Sequence, residues 1–212
     1  MLEPEIMNVL VSVAPAPEIA RLYWQEIVQA HSQPARHYHN LEHLQAIWQQ
    51  LQPVRDEIPD WPIMLCAIAY HDFIYNPLHS DNEENSAAFA VEKLSALHFS
   101  RERIEQCRRH ILATKKHEAV SETDTNYFTD ADLSILGADP ATYMQYAENI
   151  RQEYDCYPDM IYKPGRYQVL ESFLQRPRLF KTDHFYGLYE EKARINLLAE
   201  MKQLDIDRPG GF

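Results

Sequence analysis

Glycine, basic charge and long apolar runs are all scarce in this chain, and each shortage excludes something. Only five glycines occur among 212 residues, whereas Leu, Ala, Glu and Gln are plentiful and apolar residues recur every three or four positions. That composition favours helices over a sheet. The expected fold class is all-α, a single helical-bundle domain over residues 1–212. Lys and Arg number 20 against 32 Asp and Glu, a formal net charge of −12. Such a field repels nucleic-acid backbones and anionic membranes, so non-specific nucleic-acid binding and membrane association are not expected. A small soluble substrate suits the charge better. The three cysteines, Cys66, Cys107 and Cys156, are far apart and odd in number, which suits reduced thiols in a cytoplasm rather than a disulfide framework. None has a metal-motif spacing. No run reaches transmembrane length, and Met1 to Glu18 carries Glu3, Glu5 and Glu18 with no basic residue, so it does not read as a signal peptide. A cytoplasmic location is expected.

Helical patterns are easily placed in what remains. Ile19, Leu22, Tyr23, Ile27 and Val28 give Glu18 to about Gln29 a helical stripe after the proline-rich Ala14-Pro15-Ala16-Pro17. Asn40 is a good N-cap, so a second helix begins after it, with His43 in its first turn and Leu44, Ile47, Trp48 and Leu51 on the buried face. Pro62 suits the first turn of a third helix running through Leu65, Ala67, Ile68 and Ala69 to His71-Asp72, too apolar to lie on the surface. Further helices are expected over 83–97, 100–115, 140–154, 166–174 and 185–204, with a short one from Asp130 to Leu136 before Gly137. Asp155 to Arg178, with its prolines and aromatics, reads as irregular structure around one helix.

Within this frame stand His43, the adjacent pair His71-Asp72 at the end of an apolar helix, and Asp132 in Ala131-Asp132-Leu133-Ser134. Imidazole and carboxylate are the side chains that hold Mn, Fe, Co, Ni or Zn with positions left open for water. Neighbouring helical residues point about 100° apart, so His71 and Asp72 share a metal only where it lies to one side of their helix end. Other helices must supply the remaining ligands, which makes this a site assembled by tertiary folding. Asp130 competes with Asp132, since it could equally cap the short helix that presents Asp132.

A histidine, then an HD pair, then a distant aspartate resembles the signature of the HD superfamily of metal-dependent phosphohydrolases. Arg36-His37-Tyr38-His39-Asn40-Leu41-Glu42-His43 and Ala131-Asp132-Leu133-Ser134 are also similar to short motifs of the cyclic-nucleotide phosphodiesterases. The chain looks more like the small bacterial HD proteins, which share the stretch from His110 to His117 followed by Asp130-Ala131-Asp132-Leu133. The resemblance implies a helical bundle of the HD type that hydrolyses a small phosphoester, such as a nucleotide, by attack of metal-bound water. It implies one divalent metal ion (Mn, Fe, Co, Ni, Zn or Mg) held by His43, His71, Asp72 and Asp132, with Asp72 also bridging or orienting the water. His39 is then the proton donor to the leaving oxygen, although a residue just before a helix can equally serve as cap or packing. In two-metal members a further histidine opens the next helix, where this chain has Asn82-Glu83-Glu84-Asn85.

Other residues are candidates around that core. His110 and His117 are seven apart and would share a helical face, so with Glu83 and Glu84 they could complete a second metal site or bind a substrate phosphate. Lys163, Arg166, Arg176, Arg178 and Lys181 stand against Glu171 alone, and Lys163 and Arg166 beside Gly165 are the best placed to hold a phosphate. Tyr154, Tyr157, Tyr162 and Tyr167 could stack on a base, and core packing explains them as easily. The same ligand set could serve a di-iron oxygenase or a non-catalytic metal or nucleotide sensor. Phosphohydrolysis of a small phosphorylated molecule is the expectation because the resemblance implies it; Asn82 in place of a further histidine counts against two irons, and a pure binding site has no need of a proton donor such as His39.

Overall fold

The apolar helix foreseen between Pro62 and His71 is the axis of the first half of the molecule. In a computed structural model, which describes residues 1–206, ten α-helices and two short 3-10 turns occur and no strand, among the described residues. They fall into two compact units, Met1–Asp132 and a second that begins at Leu133.

The first unit holds α1 (Leu2–Val13), α2 (Pro17–His31), α3 (Leu41–Leu51), α4 (Trp61–Tyr70), α5 (Asn82–Ala96), α6 (Arg101–Ala113) and nearly all of α7 (Thr123–Leu133). Every residue of α4 except Pro62 is buried, because the helix is apolar all round and packs against α1, α3, α5 and α6. Each such side chain removed from water contributes roughly 1.5–3 kcal/mol. Asp60 fixes where α4 starts. Its carboxylate accepts from the Ile63 amide at 3.1 Å and from the Arg103 guanidinium at 2.7 and 2.8 Å, tying α4 to α6.

Two elements of this unit depart from expectation. Residues read only as lacking a leader sequence form α1, whose Leu2, Ile6 and Leu10 are buried at the spacing of one helical face. The short helix expected from Asp130 starts earlier, at Thr123, and passes into a 3-10 turn at Ser134–Gly137. Asp130 and Asp132 therefore both lie inside α7, and Asp130 is not its cap. Among the described residues no helix is long and apolar enough to cross a membrane, and Cys66, Cys107 and Cys156 are all free thiols.

The second unit holds the Ser134–Gly137 turn, α8 (Pro140–Glu153), α9 (Asp159–Leu174) and α10 (Asp183–Ile206). Where irregular structure was expected, α9 runs unbroken through Pro164. Burial of Tyr162 and Leu170 on one side offsets the hydrogen bond that proline removes. Gly137 is needed for close approach: a Cβ there would stand 2.6 Å from the Tyr189 Cβ of α10 and 2.8 Å from its carbonyl oxygen.

Candidate metal centre

Three local devices aim the ligands. Asn40 caps α3, its Oδ1 accepting from the Glu42 amide at 2.8 Å and the His43 amide at 3.3 Å, which fixes His43 in the first turn as expected. At the far end of α4 the His71 amide still donates to Ala67, and its Nδ1 donates to the Ile68 carbonyl at 3.0 Å. A carbonyl can only accept, so Nδ1 carries a proton and Nε2 is the atom left for the site. Near its C-terminal end, α7 delivers Asp132.

These atoms converge. His43 Nε2 and His71 Nε2 lie 3.3 Å apart, and Asp132 Oδ1 is 3.1 Å from the first and 3.9 Å from the second. All three ligand atoms lie within 4.8 Å of one another, both histidines are buried, and the group could hold a metal ion. Asp72 stands beside this trio: its Oδ2 is 2.9 Å from His71 Nε2 and 3.7 Å from His43 Nε2. The other oxygen of Asp132 is taken by His117, whose Nε2 lies 2.8 Å away.

The charge balance of the site fits a cation. Burial alone would lower the basicity of His71, but the Asp72 carboxylate, with help from Asp132, wins and lifts its pKa to about 9. Burial dominates at His43 and lowers its pKa, with Asp132 opposing. Burial likewise disfavours the Asp72 and Asp132 carboxylates, yet the surrounding imidazoles hold both well below the ordinary carboxylate range. Without a metal, a proton on His71 supplies the positive charge that two partly buried carboxylates demand. Two imidazole nitrogens and carboxylate oxygens, facing one another across such distances, are the donor set that borderline divalent metals take.

The remaining candidates scatter. His39 is half-buried, its ring 5.7 Å from that of His43 and tilted against Tyr75 at 4.4 Å between centroids. His110 and His117 do not share a helical face. The helix ends at Ala113, and His117 follows it in a left-handed backbone conformation with φ of 50°, so the seven-residue spacing no longer describes a helix. Only His117 reaches Asp132; buried His110 sets its Nδ1 2.8 Å from Thr125 Oγ1, and burial lowers its pKa. Phe128 lies edge-on to both the His71 and His110 rings, at 5.6 and 6.3 Å. Glu84 is drawn to Lys115, which also donates to the Ser80 carbonyl, and half-buried Glu83 precedes it in the first turn of α5.

In the second unit the Arg166 side chain is 8% exposed and is bound by buried Glu200 through two hydrogen bonds of 2.7 and 3.0 Å, with the Tyr143 hydroxyl donating to the same carboxylate. A buried guanidinium needs a counter-charge, and Glu200 provides it. Arg166 is thus one partner of an internal ion pair, and Lys163 pairs with Asp159 at 3.4 Å. Tyr162 is part of the packed interior, with Arg151 over its ring at 4.6 Å.

Sequence reading missed one residue of the first unit, Arg36, which is buried and reaches the backbone on both sides of the site. Its only sequence signal is its place ahead of His37-Tyr38-His39. No family model matches the chain, and no curated protein and no solved structure matches it significantly.

Proposed function

We propose that the protein is a metal-dependent phosphohydrolase acting on a small phosphoester of the nucleotide kind. The observation that carries this reading is the convergence of His43, His71 and Asp132, with their ligand atoms within 4.8 Å of one another, close to a third, half-buried histidine, His39. A bound divalent cation supplies positive charge that acidifies water and screens phosphoryl oxygens. In this reading His43 Nε2, His71 Nε2 and Asp132 Oδ1 hold the ion. His117 occupies Asp132 Oδ2 at 2.8 Å, so the carboxylate presents its other oxygen to the site.

Asp72 Oδ2, 2.9 Å from His71 Nε2, adds a further ligand or accepts a hydrogen bond from the attacking water. As that water bonds to phosphorus and the bond to the leaving oxygen breaks, the leaving oxygen needs a proton. His39 gives it. Its half-buried ring is held against Tyr75, 5.7 Å from the ring of His43.

The test is metal analysis of the purified protein, followed by assay of its Mn, Co, Ni, Mg and Fe forms on phosphomonoesters and phosphodiesters. Hydrolysis should require metal and fall by roughly a hundredfold or more in His39→Ala, the scale of a lost general acid, with metal still bound. Asp72→Asn should be inactive, and turnover that survives it sinks the proposed site. Two irons with oxygen consumption would replace this reading by an oxygenase. Metal binding with no hydrolysis across the panel would replace it by a sensor.

A further inference from the structure

Arg36 is 6% exposed, a burial that a guanidinium tolerates only when its donors are well used. Its Nη1 donates to the His39 carbonyl at 3.1 Å and to the Asp72 carbonyl at 2.6 Å, and its Nη2 donates to the Phe73 carbonyl at 2.9 Å. These carbonyls belong to two segments far apart in sequence. One runs from Arg36 to the Asn40 cap that orients His43, with His39 in it. The other is the turn that closes α4 and carries His71 and Asp72.

A helix C-terminus leaves carbonyls without intrahelical partners and carries partial negative charge, so a buried cation is well matched to the turn after α4. The same guanidinium lies over the Tyr75 ring at 5.5 Å, and Tyr75 lies against the His39 ring at 4.4 Å. Backbone and ring contacts of one side chain thus join the candidate proton donor to the HD pair.

Resting on the metal-site reading above, we infer that Arg36 is the positioning residue of this site: it sets the spacing between the His39–His43 segment and the His71–Asp72 turn by clasping their backbones. It touches neither metal nor substrate in this role. Lysine cannot replace it. An ammonium keeps the charge, but only the planar fork directs several donors to fixed carbonyls on two segments at once. Loss of such an outer support costs about 10–100-fold in metal affinity, because the ligands no longer sit at coordinating separations.

The experiment uses Mn2+ alone as the probe, with free ion counted by electron paramagnetic resonance, on the wild-type chain, Arg36→Lys and Arg36→Ala. The expected result is one Mn2+ bound by wild type and a loss of about 10–100-fold in affinity in both variants, with the helical circular dichroism of wild type retained. Low-millimolar guanidinium should restore affinity to Arg36→Ala, and equal ammonium should not. Wild-type affinity in Arg36→Lys overturns the inference, and so does equal rescue by ammonium, since charge alone would then suffice. Loss of the helical signal in Arg36→Lys also overturns it, because a residue required by the whole fold is not a positioning residue of one site. If wild type binds no Mn2+, the metal site itself falls, a failure visible before any variant is made.

Discussion

Both units draw carboxylates wholly or partly out of water, and they compensate them differently. In the second unit Glu200 faces the guanidinium of Arg166, which is charged at every pH of interest, and takes the Tyr143 hydroxyl as well. In the first, Asp72 and Asp132 face His43, His71 and His117, whose charge depends on a proton. The Glu200 pair is closed, with its compensation written into the chain. The imidazole cluster is open: its positive charge must come from solution, as a proton or as a metal ion. That difference separates a structural ion pair from a candidate site.

The sharpest break of this comparison is to open the closed pair. Arg166→Met leaves Glu200 buried without its partner and should cost about 3–5 kcal/mol, read as a fall in the urea midpoint at constant slope. Adding Glu200→Leu should recover most of the loss, since replacing both charges by apolar groups of similar volume is near neutral. If the double variant is no more stable than the single one, compensation is not what holds this pair.

Asp132→Asn does the converse in the first unit. It should weaken Mn2+ binding by roughly a hundredfold, so that Mn2+ at about a hundred times the wild-type Kd stabilises wild type by about 2.7 kcal/mol and the variant by only about 0.4 kcal/mol, while the metal-free protein stays folded. Thermal unfolding with and without Mn2+ shows it: wild type should gain several degrees that chelator removes, and the variant should gain almost none. An equal gain in both would take Asp132 out of the ligand set.

Conditional charge also predicts opposite slopes with pH. His71 has a folded pKa of about 9 against an ordinary 6.5, so its stabilisation is complete below 6.5 and is lost as pH rises through 9. Burial lowers His31 from 6.5 to about 3, so its contribution is complete above 6.5 and is lost as pH falls toward 3. Denaturation of chelator-treated protein should therefore show maximal stability near pH 6.5, with the alkaline decline weakened in Asp132→Asn. Metal displaces the His71 proton, so Mn2+ affinity should rise with pH up to about 9. Affinity flat from pH 6 to 9 would contradict the proton-for-metal exchange. A smaller effect belongs to the second unit: Gly137→Ala pushes a methyl into the Tyr189 backbone and should cost about 1–3 kcal/mol, with Mn2+ affinity unchanged.

Features that local chemistry specifies were legible beforehand. Asn40 caps α3, α4 is a buried helix with Pro62 in its first turn and His71 at its end, and His43 stands in the first turn of α3, all as the residues indicate. Asp132, preferred over Asp130 only through a family likeness, does reach the two histidines. Less was visible where an element lacks a strong start signal. α1 has no side-chain cap and α7 begins in the polar Thr123-Asp124-Thr125-Asn126, so burial of Leu2, Ile6, Leu10 and Phe128 had to show them. His110 and His117 were misjudged together, because a spacing of seven means one face only while the helix lasts, and it ends at Ala113.

Partner choice was the least legible property of all. Arg166 and Arg36 are the same residue type, yet one binds Glu200, 34 positions away, and the other the carbonyls of residues 72 and 73, 36 and 37 positions away. Composition, periodicity and capping act over a few residues, so the chain by itself determined those helices that carry strong local signals, its charge and which side chains could hold a metal. Which of them meet, which carboxylate is closed by an arginine and which is left to imidazoles were decided only by tertiary structure, because burial sets the need for a counter-charge and packing sets which one is within reach.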